Sequence, residues 1–168
     1  MSSTPYSRIH VLLHWTFAAI ILWATLSGFG NALFDLPAGI AEGIGFINVS
    51  LTFILIPLFV LRIVCALNHQ RPASRQPLAD LLAKAGHLAL YVVTGVVLVT
   101  GVLMMERPID LFGLLQISQP LHEPVLTGFF NSIHRYACIA LALLVAGHMA
   151  AVVLHHWRGE NLLRRMSL

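Results

Sequence analysis

The chain has 168 residues, 58% of them hydrophobic and 10% charged, with a mean hydropathy of +0.82. A soluble domain carries about 25% charged residues, so this composition excludes one and specifies an integral membrane protein. The formal net charge of +3 follows from where the basic residues lie and implies no nucleic-acid partner.

Four stretches reach the ~20 apolar residues that a bilayer crossing needs, at about 10–30, 46–67, 86–104 and 133–156. The connections are short, which predicts one domain over residues 1–168, an all-α transmembrane four-helix bundle whose backbone polar groups are satisfied helically. Arg8 precedes the first span, Arg71, Arg75 and Lys84 lie between the second and third, and Arg158, Arg164 and Arg165 follow the fourth. The other two connections carry Arg107, with Arg135 just inside the fourth helix, so both termini and the middle loop are expected in the cytoplasm.

In chain order, Met1–Ser7 is a polar tail and Arg8 marks the inner boundary. His10 and His14 follow on one helix face; His14 lies ~9 Å inside Arg8 by helical rise, whereas His10 stays interfacial. Trp15 fits an interfacial anchor as easily as a cofactor wall. The span is too long for a cleaved signal peptide and is read as retained, ending at Gly28, Gly30 and Asn31. After an outer loop (Ala32–Gly45), the second span contains no histidine. Its polar residues near the outer face are Asn48, Ser50 and Thr52; Pro57 offers a kink, and Arg62 is placed to snorkel or to meet a haem propionate.

Asn68–Asp80 reads as an inner linker leading to Lys84 and His87, the latter placed for a polar headgroup or a proton relay. Gly95 and Gly101 permit close approach by a neighbouring helix or a flat porphyrin, helix packing being the commoner use. The outer loop Glu106–Ser132 holds Arg107, Asp110, His122 and Glu123, with enough Leu and Phe to lie along the membrane surface and cap the bundle. Cys65 and Cys138 sit in different spans and form neither a Cys-x-x-Cys pair nor a haem-attachment motif, which argues against a structural disulfide and against covalent haem.

The fourth span carries His134, His148, His155 and His156. His134 and His148 are 14 positions apart, nearly in line and ~21 Å apart along the axis. Any single buried imidazole more often bonds a neighbouring helix, but two in register inside a membrane point to haem irons at two depths. His148 lies ~15 Å inside Arg158, a depth that His14 reaches from the same side, so these two are matched across one inner haem. His87 is the competitor, only ~5 Å from Lys84 along its helix. His134 has no histidine at its depth; Asn48 is the residue there, and a carboxamide is a weak iron ligand. Four arrangements remain open: a five-coordinate outer haem, one completed by His122, one with a water in the sixth position, or none. The burial expected of His134 favours an outer haem.

Tyr6-Ser7-Arg8 followed by His14-Trp15, then Ala85-Gly86-His87 with Leu88 and Tyr91, Ile133-His134, Gly147-His148, and His155-His156 with Asn161-Leu162-Leu163-Arg164-Arg165-Met166 form an ordered set of motifs. In these the chain resembles the bacterial cytochrome b561 family, four-helix di-haem b cytochromes of the inner membrane, over nearly its whole length. Superoxide-oxidising members are similar in length and motif order. The resemblance implies b-type haem in the bundle interior, the inner one on His14 and His148. It implies an outer haem on His134 and a second-helix position where this chain has Asn48 instead of histidine, with Arg62 fixing the alignment. It also implies a quinone at the inner face, near His87 and His155.

The expected function is therefore a membrane cytochrome that uses one or two haems b to move electrons to or from ubiquinone as substrate. By resemblance the donor is superoxide, oxidised to dioxygen, which makes the protein an oxidoreductase of superoxide:quinone type. The alternative is a haem-bearing membrane anchor that relays electrons for a separate dehydrogenase, its outer loop docking that redox partner protein. A small transporter or structural bundle would require the histidines to be incidental.

Overall fold

A computed structural model describes residues 8–68 and 77–159. The motif residues Tyr6, Ser7 and Asn161–Met166, and the basic residues Arg71, Arg75, Arg164 and Arg165, lie outside the described residues. Four long helices dominate: α1 (Arg8–Leu33), α2 (Ala38–Asn68), α3 (Pro77–Leu103) and α4 (Pro124–Trp157). Each is long and apolar enough to cross a membrane. The end of the bundle that carries Arg8, Asn68 and Arg158 is called inner here.

Three of the helices outrun the expected spans at the outer end, whereas α3 starts nine residues early at the inner end, at Pro77, within the stretch expected as linker. α1 continues through Gly28, Gly30 and Asn31 to Leu33, and α2 begins after only four residues, Phe34–Pro37. In this turn Phe34 N–H donates to Gly30 O at 3.1 Å, and the Pro37 carbonyl accepts from Ile40 and Ala41 to start α2. Glycines weaken a helix in water, but backbone in lipid has no partner other than its own helix. Pro57 lies inside α2, which continues across it, and α4 starts at Pro124, directly after an extended Glu123. Proline suits the first helical position because the N–H it lacks would be unpaired there anyway. At the inner end, Gly159 adopts φ +84° and donates its N–H to His156 O at 3.0 Å, closing α4 with the left-handed residue that glycine best provides.

The stretch between α3 and α4 folds into an antiparallel hairpin, β1 (Ile109–Leu111) and β2 (Leu115–Ile117), which the sequence reading assigned to loop. Its turn has Phe112 at φ 53° and Gly113 at φ 69°, closed by Leu114 N–H to Leu111 O at 2.9 Å, the pattern of a type I′ turn. A phenylalanine at positive φ is costly and is held from below. The fully buried Ser50 of α2 donates to Asp110 O and accepts from Phe112 N–H, both at 3.1 Å, while Asp110 Oδ1 accepts from Gly113 N–H at 2.7 Å. With Ile109 buried and the Phe112 ring edge-on to Phe46 at 6.4 Å, the hairpin is fastened over the outer end of α2.

The bundle is built from two helical hairpins. α3 and α4 pack most extensively, then α1 and α2; α2 joins the two pairs through α3, and α1 and α4 approach each other far less. At the junction Phe17, Leu55 and Leu98 form the buried core, with Ile20, Ile21, Ile56, Leu58 and Phe59 against it. Large apolar side chains elsewhere, such as Leu26 at 73% and Leu143 at 70% exposure, face outward as a lipid-bathed surface requires.

Candidate functional site

At the inner half of the bundle three helices bring imidazoles together. His14 of α1 and His148 of α4 lie with ring centroids 6.5 Å apart and planes at 62°. His87 of α3 lies 5.5 Å from the His148 ring, at 79°. Two imidazoles joined in line through one metal, with metal–nitrogen bonds of about 2 Å and ring radii of ~1.1 Å, have centroids ~6.3 Å apart. The His14–His148 spacing is close to that value. The His87–His148 spacing is too short to admit an iron between the rings as they stand.

The weak approach of α1 to α4 completes the fit, since a porphyrin between these imidazoles has to separate the helices that carry them. Among the described residues no three His, Cys, Asp or Glu side chains are gathered as a bare metal ion would require. Two facing imidazoles suffice when a porphyrin supplies the other four nitrogens.

Arg62 of α2 reaches into this cluster. Its guanidinium lies 5.2 Å from the Phe17 ring centroid and 5.6 Å from that of Tyr91, and its Nη2 is 3.2 Å from His14 Nδ1. This aromatic clamp compensates a cation held away from bulk water. Guanidinium has donors only, so Nδ1 of His14 accepts and the ring proton belongs on Nε2. Iron bonding through Nε2 requires the opposite tautomer, and Arg62 then needs another acceptor. His87 donates from Nδ1 to Ala83 O at 2.6 Å, which leaves its Nε2 as the acceptor nitrogen. His10 bonds Cys65 O through Nε2 at 3.0 Å, a tie between α1 and α2 outside the cluster. His155 is half-buried in the last turn of α4, seven positions beyond His148.

The outer candidates are not brought together. Asn48 sits in the α1–α2 seam, its Oδ1 accepting from Ser27 Oγ at 3.1 Å and its Nδ2 against Gly28. His134 lies in the α3–α4 seam, where its Nδ1 is 3.1 Å from Val97 O and 3.2 Å from Thr100 Oγ1. His122 is exposed ahead of α4, and the helix from Pro124 to His134 adds ~15 Å between them. Gly95 and Gly101 are both used for packing, Gly95 against the Phe59 ring and Gly101 against the His134 ring.

Sequence reasoning overlooked the Arg62 clamp, the α3 partners of His134 and the Ser50 anchor. Tyr91, one helical turn from His87, was the available signal for the first; Cys138, four positions after His134, was a partial signal for the second.

Four membrane-length helices that gather three imidazoles at one end have the architecture of a membrane b-type cytochrome. The family model described as prokaryotic cytochrome b561 matches residues 5–167, and the chain belongs to that family. No solved structure matches the chain. The protein is thus a multi-pass electron-transfer cytochrome of the inner membrane, with b-type haem in its helical bundle.

Proposed function

We propose that this cytochrome carries electrons to ubiquinone at its inner end, through a haem that His14 and His148 would hold. The observation that carries the proposal is the 6.5 Å spacing of those two rings, on helices that pack far less against each other than α1 does on α2 or α3 on α4. Bound haem supplies reversible one-electron chemistry. The protein contributes the rest: His14 and His148 would hold the group, and Phe17, Phe59 and Tyr91 would keep water from it. Arg62, which would lose its acceptor once His14 Nδ1 carries the proton, would be free to pair with a propionate. His87 and His155 lie towards the cytoplasmic face, where quinone reduction takes up protons, and Nε2 of His87 is able to pass one. Arg8, Lys84 and Arg158 at this end support placing both termini in the cytoplasm.

The proposed donor is superoxide. Two superoxide anions lose one electron each and become dioxygen, while one quinone takes two electrons and two protons and becomes quinol. Purified protein in detergent with ubiquinone and a superoxide generator tests this. Quinol should form with the wild type and not with His148→Ala; equal rates for the two, above the protein-free background, would remove the cytochrome from the path.

A second reading has the chain anchor a separate dehydrogenase. The feature that favours it is the fastened outer hairpin, whose tip exposes Leu114 at 88%. In that case purified protein stays inactive with superoxide and quinone, and its reduction depends on a partner protein.

A further inference from the structure

We infer that His134 is a tie between α3 and α4 rather than an iron ligand, and that the bundle holds one haem, at the inner site. The inference rests on the proposed inner haem and departs from the two-storey arrangement expected from the sequence.

Every polar position of the His134 ring is already used. Thr100 Oγ1 donates to Val96 O at 2.6 Å, so its oxygen is left as an acceptor 3.2 Å from His134 Nδ1. Val97 O accepts from the same Nδ1 at 3.1 Å. The proton therefore sits on Nδ1, and Nε2 is an acceptor, with Cys138 Sγ 3.4 Å away as its donor. A neutral imidazole has one donor and one acceptor, and both are satisfied within these two helices.

The weak thiol bond alone would yield to iron, but the ring's orientation would not. A Cβ added to Gly101 would stand 3.2 Å from His134 Cε1 and 3.6 Å from Nδ1. The ring edge between the two nitrogens is thus pressed on the α3 backbone, in the closest seam of the bundle. A porphyrin on Nε2 could keep the Nδ1 bond to Val97 O, but it would have to displace Cys138 Sγ and enter the seam in which α3 and α4 pack most extensively, beside the buried Thr100. On the opposite side Asn48 is engaged with Ser27 and offers no imidazole. Glycine at 101 admits a histidine from the neighbouring helix, which is the use small residues have in membrane helix packing.

The test is the pyridine haemochrome ratio of the purified full-length chain, with the reduced-minus-oxidised spectrum and Tm, for four proteins. Wild type should contain one haem per chain. His134→Ala should keep that ratio and the same α-band while its Tm falls, and His134→Asn, which keeps a donor towards Val97 O, should regain most of the Tm. Asn48→His should leave the ratio unchanged because His134 remains turned to α3. Two haems in the wild type, loss of a spectral component in both His134 variants, or a second haem gained by Asn48→His would each overturn the tie. His148→Ala separates the two proposals: if it retains full haem, the inner-site reading fails, whatever His134 does.

Discussion

Nη2 of Arg62 lies 3.2 Å from Nδ1 of His14, so a cation faces the nitrogen that a metal-bound histidine usually donates to a carbonyl or a carboxylate. A unit charge close to a haem, at an effective dielectric constant of ~20, is worth about 1–2 kcal/mol, or some tens of millivolts for one electron. It favours the reduced haem, which has one positive charge fewer. Arg62→Gln is expected to lower the midpoint potential by several tens of millivolts, and Arg62→Lys to keep most of it. Spectroelectrochemical titration reads both, and an unchanged midpoint in Arg62→Gln would mean that this charge is neutralised before it reaches the iron.

The outer hairpin should depend on one hydroxyl. Ser50→Ala deletes the bonds to Asp110 O and Phe112 N–H and leaves two backbone groups to find other partners, at a cost of about 1–3 kcal/mol. The expected result is a Tm lower by a few degrees and faster proteolysis between Asp110 and Leu115, with the haem spectrum intact. Proteolysis at the wild-type rate would show that Ile109 and Phe112 hold the hairpin without Ser50.

Gly95 bears on the site through Phe59. A Cβ there would come within 3.3 Å of Phe59 Cε1, and Phe59 in turn lies 6.1 Å from both Phe17 and Tyr91, the rings that flank Arg62. Gly95→Ala should be close to neutral, because a gain in helix propensity of ~1 kcal/mol offsets a small displacement of the ring. Gly95→Leu should reduce both Tm and haem content. Normal haem content in Gly95→Leu would place the Phe59 layer outside the haem wall.

The sequence made His14, His148 and their common depth legible, because helical rise converts distance from a basic flank into distance along the membrane normal. His87 was underrated by the same arithmetic. Depth along a helix says nothing about lateral approach, and α3 brings His87 within 5.5 Å of His148. The outer half was harder to read for the same reason. Asn48 and His134 have comparable depths, yet each side chain is turned into a different seam, and rotation about the helix axis is settled by partners such as Ser27 and Val97 on other helices. The hairpin escaped notice because Phe112-Gly113 lacks the Asn-Gly or Asp-Gly signature of a type I′ turn. Its stability comes from Ser50, some 60 residues away in sequence. The early start of α4 has a local signal in Glu123-Pro124, since proline suits the first helical position.

The most direct measurement is low-temperature EPR of the ferric protein, compared among wild type, His14→Ala, His148→Ala and His87→Ala. The wild type and His87→Ala should show the low-spin signal of an iron held by two imidazoles, and the other two variants should lose it or retain no haem. A low-spin signal that survives in His14→Ala and disappears in His87→Ala would contradict the axial pair and move the iron to the other face of His148.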